Sequence, residues 1–182
     1  MNYDVIVIGG GAAGVQVCSK AAGAGLRCAL VCFGRSADGV DPRVPGVDLL
    51  MGDKAVDARI EDGRAVSVLT ENGLVLKASA FVLATGKFFS GGLVADMDRV
   101  YEPVFFADVR YEKDRSKWFD ADFAAPQPFL EFGVETDAKG RVLVDGKALE
   151  NVYAVGEVLA GVNAVSPSFD CETVISELIC RK

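Results

Sequence analysis

Histidine is absent from this chain of 182 residues, and its absence narrows the chemistry available. Without imidazole there is no Ser-His or Cys-His nucleophile pair, and a zinc site loses its commonest nitrogen ligand. The five cysteines show no CxxC spacing, so we predict no metal site and no iron–sulfur cluster bound by this chain. Any general base would have to be a Lys, Asp, Glu or Tyr side chain.

Negative charges outnumber positive ones, and long apolar runs are lacking. The net charge of −7 argues against a nucleic-acid-binding surface and against electrostatic attachment to anionic lipid. No stretch reaches the ~18 consecutive apolar residues of a membrane span, so we predict no direct membrane insertion. The first residues, Met1–Asp4, lack the basic region of a signal peptide. We therefore expect a cytoplasmic protein of one domain, residues 1–182.

A glycine-rich turn follows the first apolar segment. Tyr3–Ile8 reads as a buried strand, and Gly9–Gly14 follows it with the pattern G-x-G-x-x-G. An alanine-rich helix over 14–24 and a second strand over 26–33 complete the βαβ context in which this pattern binds a dinucleotide pyrophosphate. The sequence therefore predicts a nucleotide cofactor at this turn, bound by Gly9, Gly11, Ala12, Ala13 and Gly14.

The middle of the chain changes its periodicity. Residues 34–46 are polar and rich in glycine and proline, as in a linker. Short runs then follow over 47–51, 55–61, 64–71 and 74–77, with turn signals at Asp62-Gly63 and Asn72-Gly73. Such dipeptides between short apolar segments indicate hairpins, so we predict a β-meander attached to a Rossmann-like α/β core with a parallel sheet.

Two later apolar strands also end in a glycine. Phe81–Ala84 runs into Thr85-Gly86, and Val152–Val155 runs into Gly156-Glu157. Ligands of open parallel sheets bind at the carboxyl ends of the strands, so all three glycine-containing ends can share one edge. The later pair resembles, in order and composition, the second and third motifs of the two-dinucleotide-binding flavoproteins, whose third-motif carboxylate binds the ribityl chain of FAD.

Further segments resemble one flavoprotein family in particular. Residues 87–95, 122–128 and 132–137 are similar to the B subunit of the anaerobic glycerol-3-phosphate dehydrogenase family, and the resemblance extends over residues 1–36 and about 50–162. It implies FAD as cofactor, and as partners a second, catalytic flavoprotein subunit and an iron–sulfur subunit that anchors the complex to the membrane. It also implies a location at the inner face of the membrane through that partner.

The resemblance assigns roles to residues of this chain. Gly9, Gly11 and Gly14 would bind the pyrophosphate, Thr85 and Gly86 would flank the cofactor, and Gly156-Glu157 would hold the ribityl hydroxyls. Ala55 would offer backbone contacts to adenine, and Cys32 would stand at the end of the second strand near the adenosine ribose. No residue is assigned a catalytic role.

The chain departs from the family pattern in three places. Cys32 stands where an acidic residue usually accepts hydrogen bonds from the ribose. The short segment 34–46 replaces the long insertion that forms most of the family's second, cap domain, so we predict that this domain is absent. The stretch Ser166–Cys171 lacks the glycines of the family's last turn, and Asp170 is the predicted N-cap of a final helix with Val174, Ile175, Leu178 and Ile179 on its apolar face.

Three functions are consistent with these observations. The first is a FAD-binding oxidoreductase subunit that relays electrons from a small polyol phosphate to quinone through its partners. The second is a non-catalytic, partner-binding remnant of a flavoprotein with a decayed cofactor site. The third, a small NAD(P)-linked reductase, lacks an acidic residue or Arg cluster at the second strand end. Lys87 could neutralise a phosphate or a flavin anion, but a surface lysine is the favoured interpretation. The aromatic stretch Phe105–Phe132 predicts an exposed patch for self-association or a partner.

Overall fold

The computed structural model describes residues 2–34, 39–163 and 171–181. Two helices, α1 (Ala12–Gly23) and α2 (Glu172–Cys180), accompany twelve strands in these ranges. The strands are β1 (Asn2–Ile8), β2 (Cys28–Cys32), β3 (Val47–Met51), β4 (Ala55–Glu61), β5 (Arg64–Thr70), β6 (Val75–Leu83), β7 (Val94–Ala95), β8 (Val100–Tyr101), β9 (Val109–Arg110), β10 (Gly133–Val134), β11 (Arg141–Val144) and β12 (Lys147–Ala154).

A central sheet runs in the order β11-β12-β6-β1-β2-β3. The five strands from β12 to β3 are parallel, and β11 pairs antiparallel with β12 at one edge. The first half of β6 pairs with β5 in the antiparallel hairpin β4-β5, and its second half joins the parallel sheet. This is the predicted α/β architecture with a parallel sheet and a β-meander.

The parallel strands are apolar on both faces, as strands covered on both sides should be. On β1, Val5 and Val7 pack with residues of α1 and α2, whereas Ile6 and Ile8 pack on the opposite face. That opposite face is covered by the meander and by the irregular segment 93–134. The sheet is therefore the middle of three layers, with helices on one side only among the described residues.

A buried amide connects the meander to the parallel sheet. Asn151 on β12 is fully buried, and its side chain accepts a hydrogen bond from Ala65 N at 2.9 Å. It also donates to Ala65 O at 2.9 Å and to Ser79 O at 3.0 Å. Because a buried amide without partners costs about 1–3 kcal/mol, these three bonds fix the hairpin against the neighbouring strands.

Several predicted boundaries are corrected by the structure. Val47–Met51 does not belong to the antiparallel meander but pairs parallel with β2 as the edge strand β3. The sequence predicts separate strands over 74–77 and 81–84, yet Val75–Leu83 is one strand shared by both sheet regions. A further turn, at Asp145-Gly146, joins β11 to β12 with both residues at positive φ.

The final helix is confirmed over Glu172–Cys180, with Val174, Ile175 and Leu178 buried. Ile179, expected on the same face, is 38% exposed. The predicted N-cap Asp170 and most of the stretch Ser166–Cys171 lie outside the described residues.

Candidate functional site

The three glycine-containing strand ends meet at one edge of the sheet. β12, β6 and β1 are neighbours, and the backbone hydrogen bonds continue past the strands: Ala84 N donates to Ile8 O at 2.8 Å, and Val155 N to Leu83 O at 2.9 Å. Because the strands are parallel, their carboxyl ends point the same way. The structure therefore brings the three predicted motifs together.

Two glycines of the first turn are required by close packing. A Cβ on Gly9 would lie 2.1 Å from Ala84 O, and a Cβ on Gly14 would lie 2.0 Å from Gly9 O. Gly9 also has φ +114°, a conformation that side chains rarely adopt. The first motif is thus packed directly against the strand that carries the second.

The helix that follows the turn begins without a side-chain cap. Gly11 occupies the N-cap of α1, no side chain caps it, and the first turn has no acidic residue. The first backbone N–H groups of a helix have no partner within the helix and carry a partial positive charge. Gly11, Ala12, Ala13 and Gly14 therefore occupy the helix start at which dinucleotide-binding proteins bind a pyrophosphate.

The second and third motifs also touch each other. A Cβ on Gly86 would lie 3.9 Å from Oε2 of Glu157, so the Glu157 carboxylate reaches the second motif. Gly156, just before it, begins a short 3-10 turn that ends at Val158. The hydroxyl oxygen of Thr85 is buried without a hydrogen-bond partner among the described residues. A buried hydroxyl and a half-buried carboxylate at the strand ends fit the polar ribityl part of a flavin cofactor.

Lys87 is buried rather than on the surface, which corrects the interpretation from sequence. Its ammonium donates to Phe132 O at 2.5 Å and to Leu159 O at 3.4 Å. Burial lowers the pKa of Lys87 to about 8, with the charge of Arg110 also lowering it and those of Glu157 and Glu131 opposing. Its position directly after Thr85-Gly86 is the only signal in the sequence for this role.

Cys32 and Pro42 pack against Gly10 of the first turn, next to the carboxyl end of β2. Cys32 is 3% exposed, its thiol donates to Gly34 O at 2.8 Å, and burial raises the pKa of that thiol. A Cβ on Gly10 would lie 2.8 Å from the Cys32 sulfur and 3.3 Å from Cβ of Pro42, which is itself buried. Pro42 therefore sits beside the strand end at which dinucleotide-binding proteins usually place a ribose-binding carboxylate.

Ala55 begins β4, four residues after the carboxyl end of the parallel strand β3. It is 3% exposed and pairs with Thr70 across the hairpin. Its side chain belongs to the core on the meander face. Any contact to adenine would thus come from its backbone.

The described residues offer neither a metal site nor a membrane helix. Across 2–34, 39–163 and 171–181, no group of three His, Cys, Asp or Glu side chains could hold a metal ion. Neither helix in the described part of the chain is long and apolar enough to cross a membrane.

The fold and this edge define a dinucleotide-binding α/β protein. The comparison with protein families specifies the class further: the model of the FAD binding domain matches residues 35–168, most of the chain. The chain belongs to this FAD-binding family, and FAD is its cofactor. The match begins after the glycine-rich turn, so the geometry of Gly9–Gly14 is an independent observation.

Curated relatives carry a more specific name. The chain is 40% identical over 143 residues to the B subunit of anaerobic glycerol-3-phosphate dehydrogenase from Yersinia pseudotuberculosis serotype I, covering 71% of this chain and 34% of that protein. It is 40% identical over 124 residues to the same subunit of Glaesserella parasuis serovar 5, covering 64% and 29%. The chain thus spans about a third of the length of these relatives.

A solved structure, that of Aquifex aeolicus GidA, is also similar. It gives a TM-score of 0.41 at 19% identity, over 48% of this chain and 25% of that one. This likeness is too weak to add to the assignment.

Proposed function

We propose that this chain is the FAD-holding part of an oxidoreductase that resembles anaerobic glycerol-3-phosphate dehydrogenase and relays electrons from a small polyol phosphate. The observation that carries the proposal is the convergence of three motifs, Gly9–Gly14, Thr85-Gly86 and Gly156-Glu157, at one sheet edge. The identity to the B subunits of that dehydrogenase supports the choice of reaction class.

FAD, when bound, supplies the redox chemistry, and the protein supplies position and electrostatics. The turn Gly11–Gly14 would bind the pyrophosphate through backbone N–H groups. Thr85 and Glu157 would hold ribityl hydroxyls, the threonine with an oxygen that has no other partner among the described residues. Lys87 lies behind the third motif, where its ammonium keeps the segments around Phe132 and Leu159 together.

The partners are part of this proposal. The relatives are named as one subunit of a dehydrogenase. We expect a catalytic flavoprotein subunit and an iron–sulfur membrane-anchor subunit, or self-association, to complete the active unit, and peripheral attachment to the membrane through them. The segment 34–46 is too short to form a cap domain between β2 and β3, which would leave the flavin accessible to such a partner.

One observation favours a second candidate, a partner-binding remnant with a decayed cofactor site. Pro42 and Cys32 pack on Gly10 where a ribose-binding carboxylate is usual. If this packing were permanent, the adenosine half of FAD would have no place. Cofactor binding therefore separates the two candidates.

The test is the absorbance spectrum of the purified protein and of a Gly11→Val variant. We expect wild type to show bands near 370 and 450 nm, about the usual positions for flavin. Gly11 has φ −76°, which any residue adopts, so valine adds bulk at the pyrophosphate without straining the backbone. We expect the variant to lose most of its flavin, with at least ~10-fold weaker binding.

Gly23→Ala is the matched control, because Gly23 lies at the other end of α1 with open space around it. This variant should keep its flavin. Wild-type stoichiometry of FAD in Gly11→Val would show that the assigned site is wrong. A wild-type chain that takes up no FAD even at saturating concentration would favour the remnant.

A further inference from the structure

A small cavity lies next to the third motif and has no part in the cofactor site described above. It has a volume of about 220 Å³, and the residues that line it are Arg110, Val134, Glu135, Thr136, Leu159, Ala160 and Val162. Leu159 comes two residues after Glu157, so the cavity adjoins the proposed flavin site. Pockets for drug-sized ligands usually measure about 300–1,000 Å³, so this one suits a molecule of a few carbons and excludes a dinucleotide.

Arg110 supplies a cation at this cavity. It ends β9 opposite Gly133 of β10, and its side chain is exposed. A Cβ on Gly161 would lie 2.9 Å from its Nη2 atom, so the guanidinium rests on a residue that has no side chain. No carboxylate in the described part of the chain forms an ion pair with it. A guanidinium in this situation is suited to a phosphate or carboxylate group.

Glu135 and Thr136 supply groups that can form hydrogen bonds with hydroxyls of a ligand. Glu135 is exposed, and the backbone of both residues is engaged, with Glu135 N donating to Asp108 O at 2.8 Å and Thr136 bridged to Val142. Both residues line the cavity together with Arg110. A carboxylate accepts hydrogen bonds from alcohols, and a threonine hydroxyl can donate or accept. A ligand that carries both an anionic group and hydroxyl groups satisfies all three side chains.

The wall of the cavity is held in place by Lys87. Its ammonium bonds to Phe132 O and Leu159 O, while Ala160 N donates to Val134 O at 3.0 Å and Gly161 N to Glu131 O at 2.8 Å. These bonds join β10 to the segment after the third motif, which together carry most of the lining. The site is thus built on fixed backbone rather than on loose loops.

We infer that this cavity binds a short hydroxylated anion, a polyol phosphate or a hydroxy acid, with Arg110 at the anionic group and Glu135 and Thr136 at the hydroxyls. The inference rests on the proposed function, because the ligand would be its substrate. This chain's own residues would then hold the substrate beside the proposed flavin site.

The test is isothermal titration of the full chain with sn-glycerol 3-phosphate, D-glycerate, inorganic phosphate and glycerol. We expect sn-glycerol 3-phosphate to bind most tightly, phosphate more weakly and glycerol not at all. Arg110→Gln should weaken binding by about tenfold or more, because a charge-assisted contact is lost, and Arg110→Lys should restore part of it. Tighter binding of D-glycerate than of sn-glycerol 3-phosphate would assign the site to hydroxy acids rather than to phosphate monoesters.

Arg59→Gln is the control, since Arg59 is an exposed arginine paired with Glu61 on the hairpin. Wild-type affinity in Arg110→Gln, or no binding by wild type up to about 10 mM, would overturn the inference. Flavin content measured on the same samples keeps the two proposals apart. A flavin-loaded chain without anion binding contradicts the cavity alone, and a chain that binds the anion but never FAD contradicts the proposed function alone.

Discussion

Lys87 shows how one side chain connects the core to the candidate site. Only 6% of the residue is exposed, and the ammonium is held by two backbone carbonyls from segments far apart in the chain. Lysine is rarely buried unless its charge is compensated. Here Glu157 and Glu131 lie near enough to oppose the effect of burial on the pKa of Lys87.

The lowered pKa of Lys87 predicts a specific pH dependence of stability. Its pKa is about 8 in the folded protein against an ordinary value of 10.5, so between these pH values the unfolded chain binds more protons than the folded one. The free energy of unfolding should therefore rise with pH in this window, relative to a Lys87→Met variant that cannot titrate. Urea unfolding of both proteins at pH values of about 7, 9 and 10.5 measures the difference.

Subtracting the free energy of unfolding of Lys87→Met from that of wild type cancels the contribution of tyrosines and other groups that titrate in both proteins. Lys77→Met serves as a second reference, because Lys77 is an exposed lysine on β6. The difference in the free energy of unfolding between Lys77→Met and wild type should stay constant across the same pH values. A difference for Lys87→Met that stays flat, or that falls as the pH rises, would contradict the assigned burial of the charge.

At the scale of elements, the segment between β2 and β3 determines access to the ribose end of the site. Parallel strands need a crossover, and here residues 33–46 provide it without a helix in the described part, 39–46. Pro42 is the buried residue of that part, and it packs near Gly10 and Cys32. We therefore expect Pro42 to compete with the adenosine of FAD for this strand end.

Replacement of Pro42 by Ser should therefore strengthen FAD binding. A competing closed conformation reduces the apparent affinity by the fraction of molecules that are open, and removal of the apolar contact raises that fraction. Loss of a contact worth about 1 kcal/mol corresponds to ~5-fold tighter binding. Titration of the apoprotein with FAD, followed by flavin fluorescence, gives the two dissociation constants.

Pro45→Ser is the matched control, because Pro45 is exposed in the same segment. It should bind FAD like wild type. Weaker binding in Pro42→Ser than in Pro45→Ser would mean that Pro42 supports the cofactor site instead of obstructing it.

Short sequence patterns predicted much of the fold, because the conformation of a turn depends mainly on the residues that form it. Asp62-Gly63 forms the expected hairpin turn with both residues at positive φ, and the apolar run before Gly9 is a parallel strand. The partner of Val47–Met51 could not be predicted, since a short apolar run pairs as readily in a hairpin as at a parallel edge. Only the packing of the whole sheet selects β2.

Part of the candidate site could likewise be predicted from the sequence, and part could not. The three motifs could be found in the sequence because glycine is required where backbones approach closely, as at Gly9 and Gly14. The burial of Lys87, the contact of Pro42 with the turn and the cavity at Arg110 each depend on segments distant in sequence. No local pattern encodes such contacts.

At the scale of the whole molecule, the aromatic stretch 105–132 is divided between core and surface. Phe105 and Phe132 are buried, and Trp118 packs edge-on against Phe132 with ring centroids 5.4 Å apart. Phe119 and Phe123 are 62% and 96% exposed. The prediction of exposed rings is thus confirmed for part of the stretch, and Trp118 belongs to the fold rather than to the surface.

Exposed phenylalanines of this kind predict association of the chain with itself or with a larger subunit. Fully exposed aromatic rings are unfavourable in water, and aromatic residues are enriched in the centres of interfaces. We expect wild type to form dimers or larger species at concentrations of tens of micromolar, about the range of weak interfaces. A Phe119→Ser plus Phe123→Ser variant should be monomeric, as measured by size-exclusion chromatography with light scattering.

A matched double variant, Met51→Ser plus Leu74→Ser, removes two other exposed apolar side chains and should associate like wild type. With a net charge of −7, two copies repel each other, so added salt should strengthen the association by screening that repulsion. Contacts between charged groups would instead weaken with salt, which separates an aromatic interface from an ionic one. A wild-type chain that stays monomeric, and that also fails to co-purify with a catalytic subunit, would contradict the prediction that these phenylalanines form an interface.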